Sequence, residues 1–156
     1  MRMSGNCACP GSQARQFDRA AAEEENGKRV SQLAQWPVQL HLVSPLAPYF
    51  AKADVVVSAD CVAYALADFH KDYLKGKALA IACPKLDDGQ ESYVEKIREL
   101  IDTAEINSLT LMIMQVPCCR GLLSIVKSAQ ANAAREIPVK LVVVGLQGGI
   151  ISEEWV

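Results

Sequence analysis

Residues 54–84 read DVVVSADCVAYALADFHKDYLKGKALAIACP, and the order of their apolar runs decides the fold. Asp54–Asp60 is continuously apolar at its centre, which suits a strand buried on both faces. Val62, Leu66, Phe69 and Tyr73 then recur at helical spacing, and Gly76 supplies a helix stop. Lys77–Cys83 returns to an aliphatic run that Pro84 ends. Strand, helix, strand in succession is the unit that builds parallel sheets, because parallel neighbours need a crossover connection.

The same alternation continues outward. Tyr93, Ile97, Leu100 and Ile101 mark one face of a helix running to about Ile106, with Ser92 as a weak cap. Ser108–Val116 is a strand broken by Pro117, Leu122, Ile125, Val126 and Ala129 stripe a helix over 122–134, and Pro138–Leu146 is a further strand before Gly148-Gly149. Upstream, Val38–Ser44 reads as the first strand, which Pro45 and Pro48 keep from continuing as helix. The expectation is an α/β fold: an open, mainly parallel five-stranded sheet with helices on both faces, Rossmann-like or flavodoxin-like. Residues 1–30 are rich in small, polar and charged types and read as an irregular arm containing Cys7 and Cys9; residues 31–156 form the α/β domain. No internal repeat is present.

Composition narrows the function. Sixteen Lys+Arg against eighteen Asp+Glu give a net charge of −2, with no basic block, so the footprint of a nucleic-acid binder is missing. Met1–Ala22 lacks the apolar core of a signal peptide and no run approaches a membrane span of about 18 apolar residues, which points to the cytoplasm. Six cysteines among 156 residues fall below the roughly 8–10% of a disulfide scaffold. In a reducing compartment their uses are metal binding, thiol redox chemistry or burial.

Their positions are informative. Cys61, Cys83 and the Cys118-Cys119 pair each follow a predicted strand and precede a helical stretch, so all lie on the edge where open α/β sheets bind ligands. None is placed inside a predicted strand or on an apolar helix stripe, where burial alone would put it. Proline adjoins three of the four cysteine loci, in Cys9-Pro10, Cys83-Pro84 and Pro117-Cys118. It stiffens a ligand turn, and Cys-Pro recurs at iron–sulfur ligands. Helix starts after Cys61 and Cys119 would lower the thiol pKa values. Zinc sites favour compact Cys-x₂₋₄-Cys knuckles, which are missing here, and His41 and His70 have no matching partner motif. A dispersed all-sulfur set suits an iron–sulfur cluster, with zinc as the alternative and metal-free thiol chemistry or structural cysteines after it.

The segments CACPGSQAR (7–15), QLAQWPVQLHLVSPLAPYF (32–50), ADCVAYALADFH (59–70), CPKLDD (83–88) and VPCCRGL (116–122) resemble a family. It is the C-terminal domain of iron–sulfur proteins of anaerobic bacteria and archaea commonly labelled 4Fe-4S ferredoxin. Longer members carry a preceding ferredoxin module with two Cys-x-x-Cys-x-x-Cys-x-x-x-Cys-Pro runs; this sequence contains none. The resemblance implies an iron–sulfur or electron-transfer context. The Cys118-Cys119 pair is also similar to the cysteine-rich domains of heterodisulfide reductases, which hold noncubane clusters, though the other spacings differ.

The expected ligands are at least five of Cys7, Cys9, Cys61, Cys83, Cys118 and Cys119 in a larger or noncubane cluster, with a [4Fe–4S] cubane on Cys61, Cys83, Cys118 and Cys119 as runner-up. Adjacent cysteines in an extended turn point apart, so both reaching one cluster needs a sharp bend, which Pro117 and Gly121 permit. The expected function is electron transfer or small-molecule reduction as an iron–sulfur oxidoreductase. Its expected partner is a redox protein, such as a ferredoxin or an oxidoreductase subunit, or a second copy of the chain. The alternative is a non-catalytic, metal-stabilised subunit or docking module of a larger oxidoreductase. Around the cysteines, Asp60, Asp87 and Asp88 read as caps before proton relays, Lys85 and Arg120 as charges offsetting a cluster, and Gly148-Gly149 as a turn. His70 reads as a surface residue, and Tyr64 and Trp36 as packing residues.

Overall fold

The computed structural model describes Gly27 and residues 29–156. Its sheet has five strands in the order β2-β1-β3-β4-β5, comprising β1 (Asp54–Ala59), β2 (Ala78–Ala82), β3 (Ser108–Met114), β4 (Val139–Val144) and β5 (Ile150–Trp155). The first four are parallel, with Asp54 opposite Ser108, Val55 opposite Ala78 and Leu109 opposite Val139, and β5 returns antiparallel to β4. Val55, Val56 and Val57 are fully buried, as their apolar run requires for a strand covered on both faces.

From β1 the chain passes outward to β2 and then back across β1 to β3. Right-handed crossovers therefore place α1 (Val62–Ala65) and a π-helical turn at Phe69–Leu74 on one face. Helices α2 (Gln90–Asp102) and α3 (Arg120–Asn132) lie on the other face and pack together. Their buried stripes are Tyr93, Ile97, Leu100 and Ile101, and Leu122, Ile125, Val126 and Ala129. The reversal of direction between β1 and β3 is the topological switch point, where such sheets open a crevice at the strands' carboxyl ends.

Three elements differ from the sequence reading. Residues 38–44 are not a strand: Gln39 makes a single parallel bridge to Ile81, and the N–H groups of Leu42 and Val43 both donate to the Gln39 carbonyl. Leu40 and Val43, three apart, are buried while Leu42 is exposed, which is the spacing of a turn rather than of a strand. The fifth strand is instead β5. Its residues IISEEW carry no buried apolar alternation, because both faces of this edge strand are largely exposed.

The helix expected over 62–74 is divided. Leu66 adopts an extended conformation after α1, and the chain then winds into a wider turn in which Lys75 N–H donates to His70 O. Phe69 and Leu74 bury at a spacing of five residues. Helix α2 begins at Gln90 after a left-handed Gly89, so Ser92 is not its N-cap; its hydroxyl donates back to Gly89 O. The irregular arm expected at 1–30 falls almost wholly outside the described residues, as do Cys7 and Cys9.

Candidate metal centre

The strand ends bring four free cysteines to one edge. Cys61 follows β1 and is exposed, Cys83 follows β2 and is half-buried, and Cys118 and Cys119 sit in a short 3₁₀ turn, Pro117–Cys119, between β3 and α3. Loops from β1 and β3 flank the switch point, and the β2 loop lies on the far side of β1. The thiols sense one another: partial desolvation raises the pKa of Cys61, and Cys83, Asp60 and Cys118 add to the rise. Burial pushes Cys119 up to about 11, against a hydrogen bond from the Met114 backbone, with Cys118 and Cys61 adding repulsion.

Two expectations are corrected here. Cys119 is buried, 8% exposed, within the main core. The thiols of Cys61 and Cys119 are shifted up rather than down, because desolvation and then neighbouring acidic groups and thiols disfavour the thiolate. The 3₁₀ turn Pro117–Cys119 supplies the bend that the vicinal pair needs, and Cys118 adds to the upward shift of Cys119.

The supporting residues explain how the loops are held. The Cys83 N–H donates to Asp87 Oδ2 at 2.9 Å, and the Asp87 N–H donates back to Cys83 O at 2.9 Å. The buried Tyr93 hydroxyl donates to the same Asp87 oxygen, and the Gln90 amide donates to Pro84 O. Burial and the Asp87 bond raise the Tyr93 pKa, so the phenol stays protonated and holds the turn. Asp87 is thus a turn clamp, not a helix cap. A Cβ on Gly121 would stand 3.1 Å from Pro84 Cβ, so the absence of a side chain there lets α3 approach the Cys83 loop.

Asp60 completes the edge. Burial, then Asp87, raises its pKa; its carboxyl accepts from Gln39, and its Oδ1 is buried without a hydrogen-bond partner among the described residues. Sequence reasoning missed Tyr93, Gln39 and Gln90 as site residues, and it placed Gly121 in the bend after Pro117 without its approach to Pro84. The Cys83-Pro-x-x-Asp87 spacing is the one legible signal, since Asp closes such turns. Lys85 and Arg120 adjoin the cysteines in sequence.

Among the described residues no three His, Cys, Asp or Glu side chains stand close enough to hold one metal ion.

The fold and this edge define a class: a Rossmann-like α/β domain bearing its reactive side chains on the loops after its parallel strands. The chain belongs to the Rossmann-like domain family, whose family model matches residues 47–156. An uncharacterized protein of Archaeoglobus fulgidus is 28% identical over 121 residues, covering 78% of this chain and 84% of that relative. No solved structure matches. Among the described residues no helix is long and apolar enough to cross a membrane.

Proposed function

We propose that this chain is a cytoplasmic iron–sulfur redox protein that works in electron transfer or small-molecule reduction. The observation that carries the reading is the convergence of Cys61, Cys83, Cys118 and Cys119 on the loops after β1, β2 and β3 at the switch-point edge. These four thiolates are the core ligands, and Cys7 and Cys9, a Cys-x-Cys pair in an arm too poor in apolar residues to bury a core of its own, supply at least one more. A bound cluster supplies one-electron redox chemistry. The chain's own residues do the rest: Asp87 and Tyr93 fix the Cys83 turn, Pro117 bends the vicinal pair, and Lys85 and Arg120 offset thiolate charge.

The full chain, purified anaerobically, tests this through its iron and acid-labile sulfide content and its electron paramagnetic resonance spectrum after reduction. Stoichiometric iron and sulfide with a reducible signal is expected, and alanine at any of Cys61, Cys83, Cys118 or Cys119 should remove most of the iron. Zinc without sulfide would overturn the reading. A cluster fully retained after Cys7 and Cys9 are both replaced would limit the ligands to the four at the edge.

A second reading, a metal-stabilised docking subunit, draws on Leu86 and on Tyr64, which, against the packing role expected of it, is 93% exposed; the two lie three residues after Cys83 and Cys61. Large apolar side chains beside the ligand loops suit a protein partner such as an oxidoreductase subunit. A bound centre that no reductant changes would favour that reading.

A further inference from the structure

Beside the thiol edge, on the face covered by α1 and the π-helical turn, lies a cavity of about 380 Å³. Its floor is Ser58 and Asp60 on the β1 side and Leu79 and Ile81 of β2, and Phe69 and Leu74 of the π-helical turn wall it. The volume falls within the roughly 300–1,000 Å³ of small-molecule sites. Three observations mark it as more than a packing gap. The π-helical turn is a rare geometry that is frequent at functional sites, and it places His70 in the cavity lining. His70 Nδ1 accepts the Gln32 N–H at 3.0 Å, so the neutral ring keeps its own N–H on Nε2. Asp60 belongs both to this lining and to the cysteine edge, being joined directly to Cys61.

We propose that this cavity binds a neutral, mainly apolar molecule of one or two rings carrying a hydroxyl or carbonyl, with His70 and Asp60 as its polar contacts. The lining contains no lysine or arginine to balance an anion, and placing an unpaired charge among Leu74, Leu79 and Ile81 is costly. The cavity's role as the substrate recess of a reducing centre rests on the cluster reading above; binding itself does not.

Titration of the intact chain with 4-methylphenol, followed by methyl-resolved carbon–proton NMR, tests the inference. The titration is run on protein as purified anaerobically and again after iron has been chelated. Saturable shifts at the methyls of Leu74, Leu79 and Ile81 are expected in both forms, with 4-methylbenzoate at least about tenfold weaker. Ala63→Trp, at an exposed lining position of α1, should weaken binding at least about tenfold by filling the mouth, with the melting temperature unchanged. His70→Leu removes the Nε2 donor at an exposed position and should weaken binding about three- to tenfold, with His70→Gln, which keeps a donor, weakened less. No saturable shift at those methyls, equal affinity for the anion, or full binding by both Ala63→Trp and His70→Leu would overturn the proposal. Binding by a protein that contains no iron as purified anaerobically would sink the cluster reading alone, and iron without binding would sink the cavity alone.

Discussion

Asp102 shows how one side chain fixes a junction that no local pattern announces. Its carboxylate accepts the N–H groups of Ala134 and Arg135 and pairs with Arg98, tying the end of α2 to the segment between α3 and β4. These donors, the Ala134 N–H first, hold its pKa below the ordinary 3.8. A carboxylate depressed in the folded state contributes stability that is complete above its unfolded pKa and disappears as pH falls through the folded one. The urea midpoint of the native chain should therefore fall more steeply below about pH 4 than that of Asp102→Ala. Parallel acid curves for the two proteins would show that the junction carries no linkage. Asp87 follows the same logic at the candidate site: Tyr93→Phe removes one of the bonds to its carboxyl and should cost about 1–2 kcal/mol by urea unfolding. The cysteine loci were legible because a thiol after an apolar run can be placed by strand period alone. The clamps were not, since Tyr93 reads as one more apolar face residue until the Cys83 turn is folded against it.

At the level of elements, the two edges of the sheet are treated differently. β2 is covered by residues 35–40: the Gln35 side chain donates to Leu79 O and accepts from Leu79 N–H, both at 2.8 Å, and Leu40 N–H donates to Ile81 O. A side chain here imitates a strand backbone, and so the run after Pro37 looks strand-like in sequence while making only one bridge. β5 is the converse: it pairs with β4 along its length, apart from a bulge at Ile151, yet has no apolar period, because little of it is buried. Burial, not pairing, writes the sequence pattern, so the buried parallel strands were readable and the exposed antiparallel one was not. The β4–β5 turn carries a clear test. Gly148 has φ +90°, and a Cβ there would lie 2.3 Å from Ala65 O, whereas nothing lies within 4 Å of one on Gly149. Gly148→Ala should cost about 1–3 kcal/mol through backbone strain, and more if α1 must move away. Gly149→Ala should stay within about 0.5 kcal/mol. Equal urea midpoints for the two variants would mean that the turn does not pack against α1.

Across the whole molecule, burial falls from the sheet's centre to its β5 edge. β1 and β3 lie inside the sheet with Val55–Val57, Leu109 and Leu111–Ile113 almost completely removed from water, while β5 is exposed along most of its length. Local opening costs least where few apolar contacts are lost, so β5 should open without the rest, and β1 and β3 only with global unfolding. A ligand that binds only the folded chain slows exchange of amides exposed by global unfolding and of amides at its own site, but not of amides that open in a form still able to bind it. The cluster reading then makes a specific claim about where protection changes. Hydrogen exchange followed by mass spectrometry should show the slowest amides in Val55–Ser58 and Leu109–Ile113 and much faster exchange over Ile150–Trp155. Loading with iron and sulfide should slow the edge loops at 60–65, 83–90 and 115–121 and also the slowest amides of β1 and β3, leaving β5 unchanged. Slowing of β5 equal to that of β3 would show that the sheet opens as one unit. Unchanged exchange at all three cysteine loops would show that they do not hold the cluster, because loops bridged by common ligands cannot open singly without losing it.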